Sequence, residues 1–205
     1  MRLSGFLVVA ALLQSVGCSR PAAADGTWKT VDHQDGLTLE TRAVKGSPYD
    51  RLRVTGTTSA TPTQFMDALW GQAGDRSLNP EVVQRDVLED KPDERIYWDK
   101  ISAPVVSDRD YVLHMTRALD PKTGVYTQRF ESVTDDRRKP TSGIVRMQLD
   151  GSCTITPLAS GGSSVVYEIF TDIGGSTPAF MASGAMKKSA LRYVSDVRRR
   201  AEVAH

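Results

Sequence analysis

The stretch YWDKISAPVVSDRDYV, residues 97 to 112, decides the fold of this chain. It begins with the alternation of a half-buried β-strand, breaks at Pro104, and resumes as a second strand directly after Arg109 and Asp110. The stretch carries an aromatic pair and an arginine flanked by acids, but no pair of catalytic groups. It therefore predicts two neighbouring strands joined by a proline-containing loop.

The same period-two alternation continues on both sides of this stretch. It predicts seven strands, many of them rich in β-branched or aromatic residues, over 37–43, 51–58, 95–101, 109–119, 125–133, 143–149 and 164–171. Glycine and Asx residues predict tight hairpin turns at 120–124, 150–151 and 160–162. Strands joined mainly by such hairpins indicate an antiparallel sheet.

Two segments have helical periodicity. The shorter one, 61–70, begins with a threonine cap and a proline, and the longer one, 176–204, has Thr177 as the expected N-cap and Pro178 at its first helical position. The apolar stripe of the longer helix consists mostly of small residues: Ala179, Ala182, Met186, Ala190, Tyr193, Val197 and Ala201. Alanines allow either close approach to the sheet or an unfilled space beside it. The strands and helices together predict one α+β domain.

The first residues are predicted to be a secretory signal and to lie outside the fold. Arg2 precedes an apolar run of eight residues, 6–13, which is shorter than the roughly 20 residues needed to span a bilayer as a helix. Cleavage that removes residues 1–24 as a signal peptide would leave a periplasmic domain of residues 25–205. Alternatively, SVGCS resembles a lipobox whose signal ends before Cys18, which would make the exported chain a membrane-anchored lipoprotein.

Composition and motifs exclude several function classes. Because 26 basic side chains nearly balance 25 acidic ones, the chain has no strongly basic surface for nucleic acid. None of the three histidines, His33, His114 and His205, has a second His or Cys at metal-ligand spacing, so no metal or cofactor is expected. Cys153 is expected to be a small strand residue, and the acids between 86 and 94 to form a solvated turn.

The aromatic-aromatic-acid strand, the proline loop and SDRDYV resemble the signature of START lipid-transfer domains. A second match is the pattern D-x-G-G-x-x-P, which falls on Asp172, Gly174, Gly175 and Pro178. The similarity runs from DGLTLETR through GIVRMQLDGSCTITPL to the terminal helix and covers almost all of residues 28–200.

The resemblance implies an α+β helix-grip fold, in which a curved antiparallel β-sheet wraps around a long C-terminal α-helix and encloses an internal hydrophobic cavity. The implied function is to bind a single lipid, such as a sterol, fatty acid or phospholipid, and to carry or present it between membranes. The chain would be a monomer that contacts membranes transiently. The alternative is an enzyme acting on a hydrophobic substrate in the same cavity, with Asp99, His114 and Asp110 as acid or base candidates.

Alternation along the strands predicts which residues line this cavity. The expected lining residues are Ile96, Trp98, Tyr111, Leu113, Met115, Val145, Met147, Leu149, Met186 and Ala190. Counting from Arg109 without gaps places the internal acid and arginine of certain sterol-carrying relatives at Ile96 and Met115, so a more apolar wall is expected here. Where phosphatidylcholine-binding relatives have charged headgroup residues, this chain has Asp75 and Asn79.

Two structural features complete the expectation. Arg109 and Asp110 are expected to be structural, because an arginine beside the kinked loop can satisfy several carbonyls with its fork of donors. The expected hinge residues between the last strand and the terminal helix are Gly174, Gly175 and Pro178. Loops 104–107 and 134–142 are alternative gates.

Overall fold

The computed structural model describes residues 26–102 and 107–203. Within these ranges the chain forms ten strands, two α-helices and one 3-10 turn, Asp136–Arg138. The strands are β1 Lys29–Gln34, β2 Leu37–Ala43, β3 Asp50–Thr58, β4 Val82–Asp90, β5 Glu94–Ile101, β6 Arg109–Leu119, β7 Tyr126–Ser132, β8 Val145–Arg146, β9 Gln148–Pro157 and β10 Ser163–Asp172. The helices are α1 Pro62–Trp70 and α2 Ala179–Val203.

All ten described strands belong to one sheet with the order β1-β2-β3-β10-β9-β7-β6-β5-β4. Neighbours along this path pair antiparallel, and the short β8 adds a parallel pairing with β6. The predicted antiparallel sheet with a long C-terminal helix is therefore confirmed, and the architecture is the α+β helix-grip fold.

Two strands, β1 and β4, were not predicted because their sequences lack a clear alternation, and most of β9 was not predicted because the expected strand 143–149 ended at an expected turn. Every residue of β1 is exposed, so no apolar residues mark one face of it. The strand β4 includes Asp86, Glu89 and Asp90, which were predicted to form a charged turn. An edge strand needs an apolar face only where the rest of the protein covers it, which explains how a charged segment still pairs.

The predicted turn at 150–151 is wrong, because both residues lie inside β9. Gly151 is needed there for space and not for a turn: a Cβ at this position would lie 2.2 Å from the Glu168 carbonyl oxygen and 2.4 Å from the Phe130 ring. The predicted turns at 120–124 and 160–162 do connect β6 to β7 and β9 to β10. Glycine at 151 therefore allows neighbouring atoms to approach the backbone of β9 closely, whereas the glycines at 120–124 and 160–162 form turns.

Helix α1 forms where its capping residues predict. The side chain of Thr61 accepts a hydrogen bond from the Gln64 amide, the Gln64 side chain bonds back to the Thr61 amide, and Pro62 occupies the first turn. The helix then buries Phe65, Met66, Leu69 and Trp70 against the sheet and α2.

Helix α2 begins at Ala179, directly after the predicted first position Pro178. Its buried residues are Ala190, Leu191, Val194, Val197 and Ala201, so two larger side chains join the predicted stripe of small ones. The Thr177 hydroxyl, the expected N-cap group, instead accepts a hydrogen bond of 2.7 Å from Arg109 Nη2. No described helix is both long and apolar enough to cross a bilayer.

One face of the sheet packs against both helices, and we call it the inner face. Leu39, Val54, Cys153 and Ile155 of three different strands belong to the same buried cluster as residues of α1 and α2. The aromatic rings of Tyr167 in β10 and Tyr193 in α2 meet on this face, with their centroids 5.3 Å apart. The inner face is therefore where a ligand held between sheet and helix would lie.

Candidate functional site: the inner face of the sheet

The pairing of β5 with β6 decides which of their side chains face inward. Tyr97 pairs with Leu113, and Asp99 pairs with Tyr111. Directly opposite residues of an antiparallel pair project to the same side of the sheet. Tyr111, Leu113 and the next inward residue, Met115, are all buried in the main cluster. Three of the predicted lining residues thus lie on the inner face.

Ile96 and Trp98 were predicted to face inward, and this assignment is wrong. They pair with His114 and Val112, which alternate with the inward residues of β6. On the outer face, the Trp98 indole donates a hydrogen bond of 2.8 Å to Asp110, and the Arg138 guanidinium lies 4.6 Å from the centre of the Trp98 ring. The predicted facing of β5 was offset by one residue, and a one-residue shift moves a side chain to the opposite face.

The remaining lining candidates fall in two places. Met147, Leu149 and Ala190 belong to the main buried cluster, and Met186 of α2 packs against it while half-buried. Val145 is also half-buried, but it lies beside the hinge: a Cβ added to Gly174 would be 3.0 Å from a Val145 methyl. The inner face therefore joins three of these five residues, and Met186 borders it.

A buried polar cluster on the inner face was not predicted. Arg85 of β4 donates two hydrogen bonds of 2.7 Å to Asp99, and the Tyr111 hydroxyl donates a third, also of 2.7 Å. Asp99 is 0 % exposed. The Arg85 guanidinium also lies over the Tyr97 ring, 4.1 Å from its centre. We call Arg85, Asp99 and Tyr111 the inner polar cluster.

The inner polar cluster was missed because one of its members lies in β4. The charges of that segment hid its strand character, so Arg85 had no predicted face. The available signal was an isolated acid in one strand, Asp99, and a tyrosine directly after the R-D pair in the next strand, Tyr111. Only the register shows that the two side chains meet.

Tyrosines surround the inner polar cluster. Tyr97 and Tyr167 are buried and Tyr193 is half-buried, and the Tyr167 ring also stacks on Phe130 with centroids 6.0 Å apart. Burial raises the pKa of the phenol group of each of these three tyrosines and of Tyr111. The phenols therefore stay neutral near neutral pH and can donate hydrogen bonds.

The three acid and base candidates of the enzyme alternative do not lie at one common site. Asp110 accepts hydrogen bonds from Arg146 and Trp98 on the outer face, and His114 bonds to Glu94 at 2.9 Å. Asp99 alone of the three faces inward, where Arg85 and Tyr111 hold it.

Burial raises the pKa of the Cys153 thiol to about 12, so this inward cysteine is a poor nucleophile. Among the described residues, no group of three or more potential metal ligands is found.

Arg109 connects the two segments that precede β6 and α2. It donates hydrogen bonds to the carbonyl oxygens of Ser107 and Ile173, at 2.5 and 3.2 Å, and to the Thr177 hydroxyl. In the expected hinge, Gly174 and Gly175 have φ of 62° and 69°, a region that glycine adopts without strain. Of the alternative gate 104–107, only residue 107 is within the described residues.

Known proteins resemble this chain in sequence and in structure. A family model of the START domain matches residues 18–203. An uncharacterized protein of Pseudomonas aeruginosa is 27% identical over 178 residues, which cover 85% of this chain and 87% of that protein. A STAR-related lipid transfer protein from Xanthomonas axonopodis has a similar structure, with a TM-score of 0.73 and 26% identity over 85% of this chain and 98% of that one.

A human structure shows that the fold extends to more distant proteins. Human StAR-related lipid transfer protein 5 has a TM-score of 0.72 at 17% identity, with 85% of this chain and 86% of that one covered. The similarity in fold and the match of the family model over nearly all of the described residues agree. This chain belongs to the START domain family.

Proposed function

We propose that this chain binds a single lipid against the inner face of the sheet and carries it between membranes. START domains and their StAR-related relatives support lipid binding and transfer in general. The lipid places its polar group at the inner polar cluster and its apolar body against Leu113, Met115 and Phe130. We place the lipid between the sheet and α2, where the small residues Ala190 and Ala201 form part of the buried helix surface.

The observation that carries this proposal is the buried ion pair of Arg85 and Asp99. Removing two charges from water is costly, and such a pair often stabilises a fold less than apolar side chains of similar size would. Its retention on an otherwise largely apolar face is explained if the pair orients polar groups for a ligand. The neutral phenol of Tyr97 adds a donor for a hydroxyl or carbonyl oxygen, and the Tyr111 oxygen, whose hydrogen is donated to Asp99, adds an acceptor for a hydroxyl group.

A carrier protein is useful because it keeps the lipid out of contact with water. Each methylene group exposed to water costs about 0.8 kcal/mol, so a chain of about 16 carbons costs about 13 kcal/mol. A protein interior that replaces the membrane during transit removes most of this cost. Neither a metal nor a cofactor is needed for such transfer, and the START lipid-transfer family is generally non-enzymatic.

Contact with a membrane is supported by the start of α2. Phe180 is 81 % exposed and Met181 59 %, and the eight residues 179–186 carry no charge. Lys187 and Lys188 follow directly. An exposed apolar tip followed by basic residues suits the interface of a bilayer that contains anionic lipids. We place the transient membrane contact of the carrier here, next to the glycine hinge.

Movement of α2 at this hinge would let the lipid enter. Gly174 and Gly175 lie between β10 and α2. The alternative gate, segment 134–142, is instead held to the outer face of the sheet by a hydrogen bond from Arg137 to the Leu88 carbonyl oxygen. A disulfide engineered between α2 and β3, after Cys153 is replaced, tests this. Oxidation is expected to slow lipid exchange between vesicles, and an unchanged rate would assign the gate to the loops.

We further propose that the chain is exported as a monomer, with either removal of residues 1–24 or lipidation of Cys18. Both segments lie outside the described residues. The mature mass of the exported protein distinguishes the two forms, because lipidation adds the mass of the acyl chains to a chain that begins at residue 18.

Native mass spectrometry tests the proposed function directly. The delipidated protein is incubated with sterols, fatty acids and phospholipids, and a one-to-one adduct is expected with at least one class. Tyr111→Phe removes only the hydroxyl and is expected to weaken that adduct, whereas Thr154→Val, which removes a hydroxyl from the opposite face of β9, is the control. The absence of any one-to-one adduct across the panel would refute the proposal.

A further inference from the structure

Gln128 is a fully buried amide side chain on the inner face. It lies in β7, is 1 % exposed, and pairs with Cys153 of β9 on one side and with Arg117 of β6 on the other. Arg117 lies on the same side of β6 as Tyr111, Leu113 and Met115, because it follows them at intervals of two. The Gln128 side chain therefore faces inward.

The Gln128 amide nitrogen has no hydrogen-bond partner among the described residues. Its cross-strand neighbours do not supply one. The Cys153 thiol is a weak hydrogen-bonding group, and Arg117 has only donors, which face the Pro92 carbonyl and the carboxylates of Asp93 and Asp67. Native proteins rarely bury a polar group without a partner, because its lost hydration is then not replaced.

Gln128 is remote from the inner polar cluster along the sheet. Tyr111 belongs to that cluster, and Arg117, opposite Gln128, comes six residues later in β6. At about 3.3 Å per residue this is a separation of about 20 Å along the strand. Between the two points the inner face carries the apolar side chains of Leu113, Met115 and Phe130, and the one charged side chain opposite Met115, Arg95, donates to the Trp70 and Gly71 carbonyl oxygens.

We propose that Gln128 is a second ligand-contacting residue, whose amide donates a hydrogen bond to an oxygen at the far end of the bound lipid. The inner face then recognises an elongated apolar molecule with an oxygen function at each end, one at the inner polar cluster and one at Gln128. This inference rests on the proposed function, since it assigns the ligand class of the same site.

The test compares two alcohols that differ only at one end. Delipidated protein is titrated with 1-hexadecanol and with 1,16-hexadecanediol, and the ratio of their affinities is measured for wild type and for Gln128→Met. Methionine keeps the length of the side chain and removes its hydrogen bonding. We expect the ratio of diol affinity to hexadecanol affinity to fall about fivefold in Gln128→Met, since one hydrogen bond is lost, while hexadecanol binding is retained. Comparing ratios cancels the difference in water solubility of the two alcohols.

Two controls keep the result interpretable. Gln84→Met changes the same residue type on the outer face and should leave the ratio as in wild type. The unliganded Gln128→Met protein should melt no lower than wild type, because it no longer buries an unpaired amide. An equal affinity ratio in wild type and Gln128→Met overturns the inference. If the variant also melts at a lower temperature, a buried water molecule is the partner of the Gln128 amide. If neither alcohol binds the wild type, the proposed binding of such lipids fails as well, and that result is distinct from equal ratios.

Discussion

Arg85 and Asp99 form a buried ion pair across β4 and β5, with two nitrogen–oxygen distances of 2.7 Å. The two residues are register partners, so their side chains leave the sheet on the same face. This pairing brings a charge from an edge strand onto the inner face, where Asp99 is its fixed partner. The inner face is therefore preorganised at one end for a polar group.

Removing one partner of this pair should cost far more than removing both. Asp99→Asn or Arg85→Met is expected to lower the free energy of unfolding by about 3–5 kcal/mol, since each leaves a buried group without its partner. The double variant Arg85→Met/Asp99→Leu should regain much of that loss. Urea unfolding measures all three. As a control, Arg199→Ala breaks an exposed pair with Asp196 and should cost less than about 1 kcal/mol. Additive losses in the double variant would contradict the expectation.

Gly151 and Gly184 should respond to alanine in opposite directions. A Cβ at Gly151 would collide with the Glu168 carbonyl and the Phe130 ring, so Gly151→Ala is expected to destabilise the protein by about 1–3 kcal/mol. Gly184 lies within α2 with nothing within 4 Å of an added Cβ, so Gly184→Ala should stabilise it by about 0.5–1 kcal/mol. Thermal unfolding of both variants checks the pair, and a neutral Gly151→Ala would show that β9 tolerates a side chain there.

The apolar start of α2 should determine membrane affinity without affecting stability. Phe180→Ala combined with Met181→Ser is expected to reduce binding to vesicles containing anionic lipids by about tenfold or more, because both side chains are exposed in the unbound protein. Sedimentation with vesicles measures this, and the melting temperature should stay within error. Val31→Ser, at an exposed valine of β1, is the control. Equal vesicle binding by both variants would place the membrane contact elsewhere.

Arg109→Ala should lower stability and lipid retention together. The side chain bonds to Ser107, Ile173 and Thr177, so its removal leaves two carbonyl oxygens and a hydroxyl without their donor and loosens the start of α2. The melting temperature and the fraction of bound lipid after dilution are the measurements. Retention that falls at an unchanged melting temperature would instead indicate that Arg109 touches the lipid.

Acid should weaken the attachment of segment 72–81 to α2. Hydrogen bonds from Ser77 and then Arg200 hold the pKa of Asp75 below its ordinary value. A carboxyl whose pKa is lower in the folded state stabilises the fold above its unfolded pKa of about 3.9 and loses that contribution as pH falls through the folded pKa. The difference in melting temperature between wild type and Asp75→Asn should thus be constant from about pH 7 to 5 and shrink below about pH 4. Asp136→Asn, at an exposed acid, should match wild type throughout.

The sequence by itself determined the class of the fold. Alternation identified the strands that have one apolar face, and Thr61 and Pro62 marked the start of α1 through capping chemistry that involves only neighbouring residues. The R-D pair at 109–110 and the glycines at 174–175 identified the family. These signals are local: each depends on the backbone and side chains within a few positions along the chain.

The tertiary structure decided which side chains share the inner face. Ile96 and Trp98 were placed on the wrong face, and Arg85 and Gln128 were not recognised, because strand register is set by long-range pairing and a shift of one residue reverses every side chain. Local alternation states that neighbours point in opposite directions, but it does not state which of them points toward α2. That choice follows from the contacts of the whole sheet with α1 and α2, which no single segment contains.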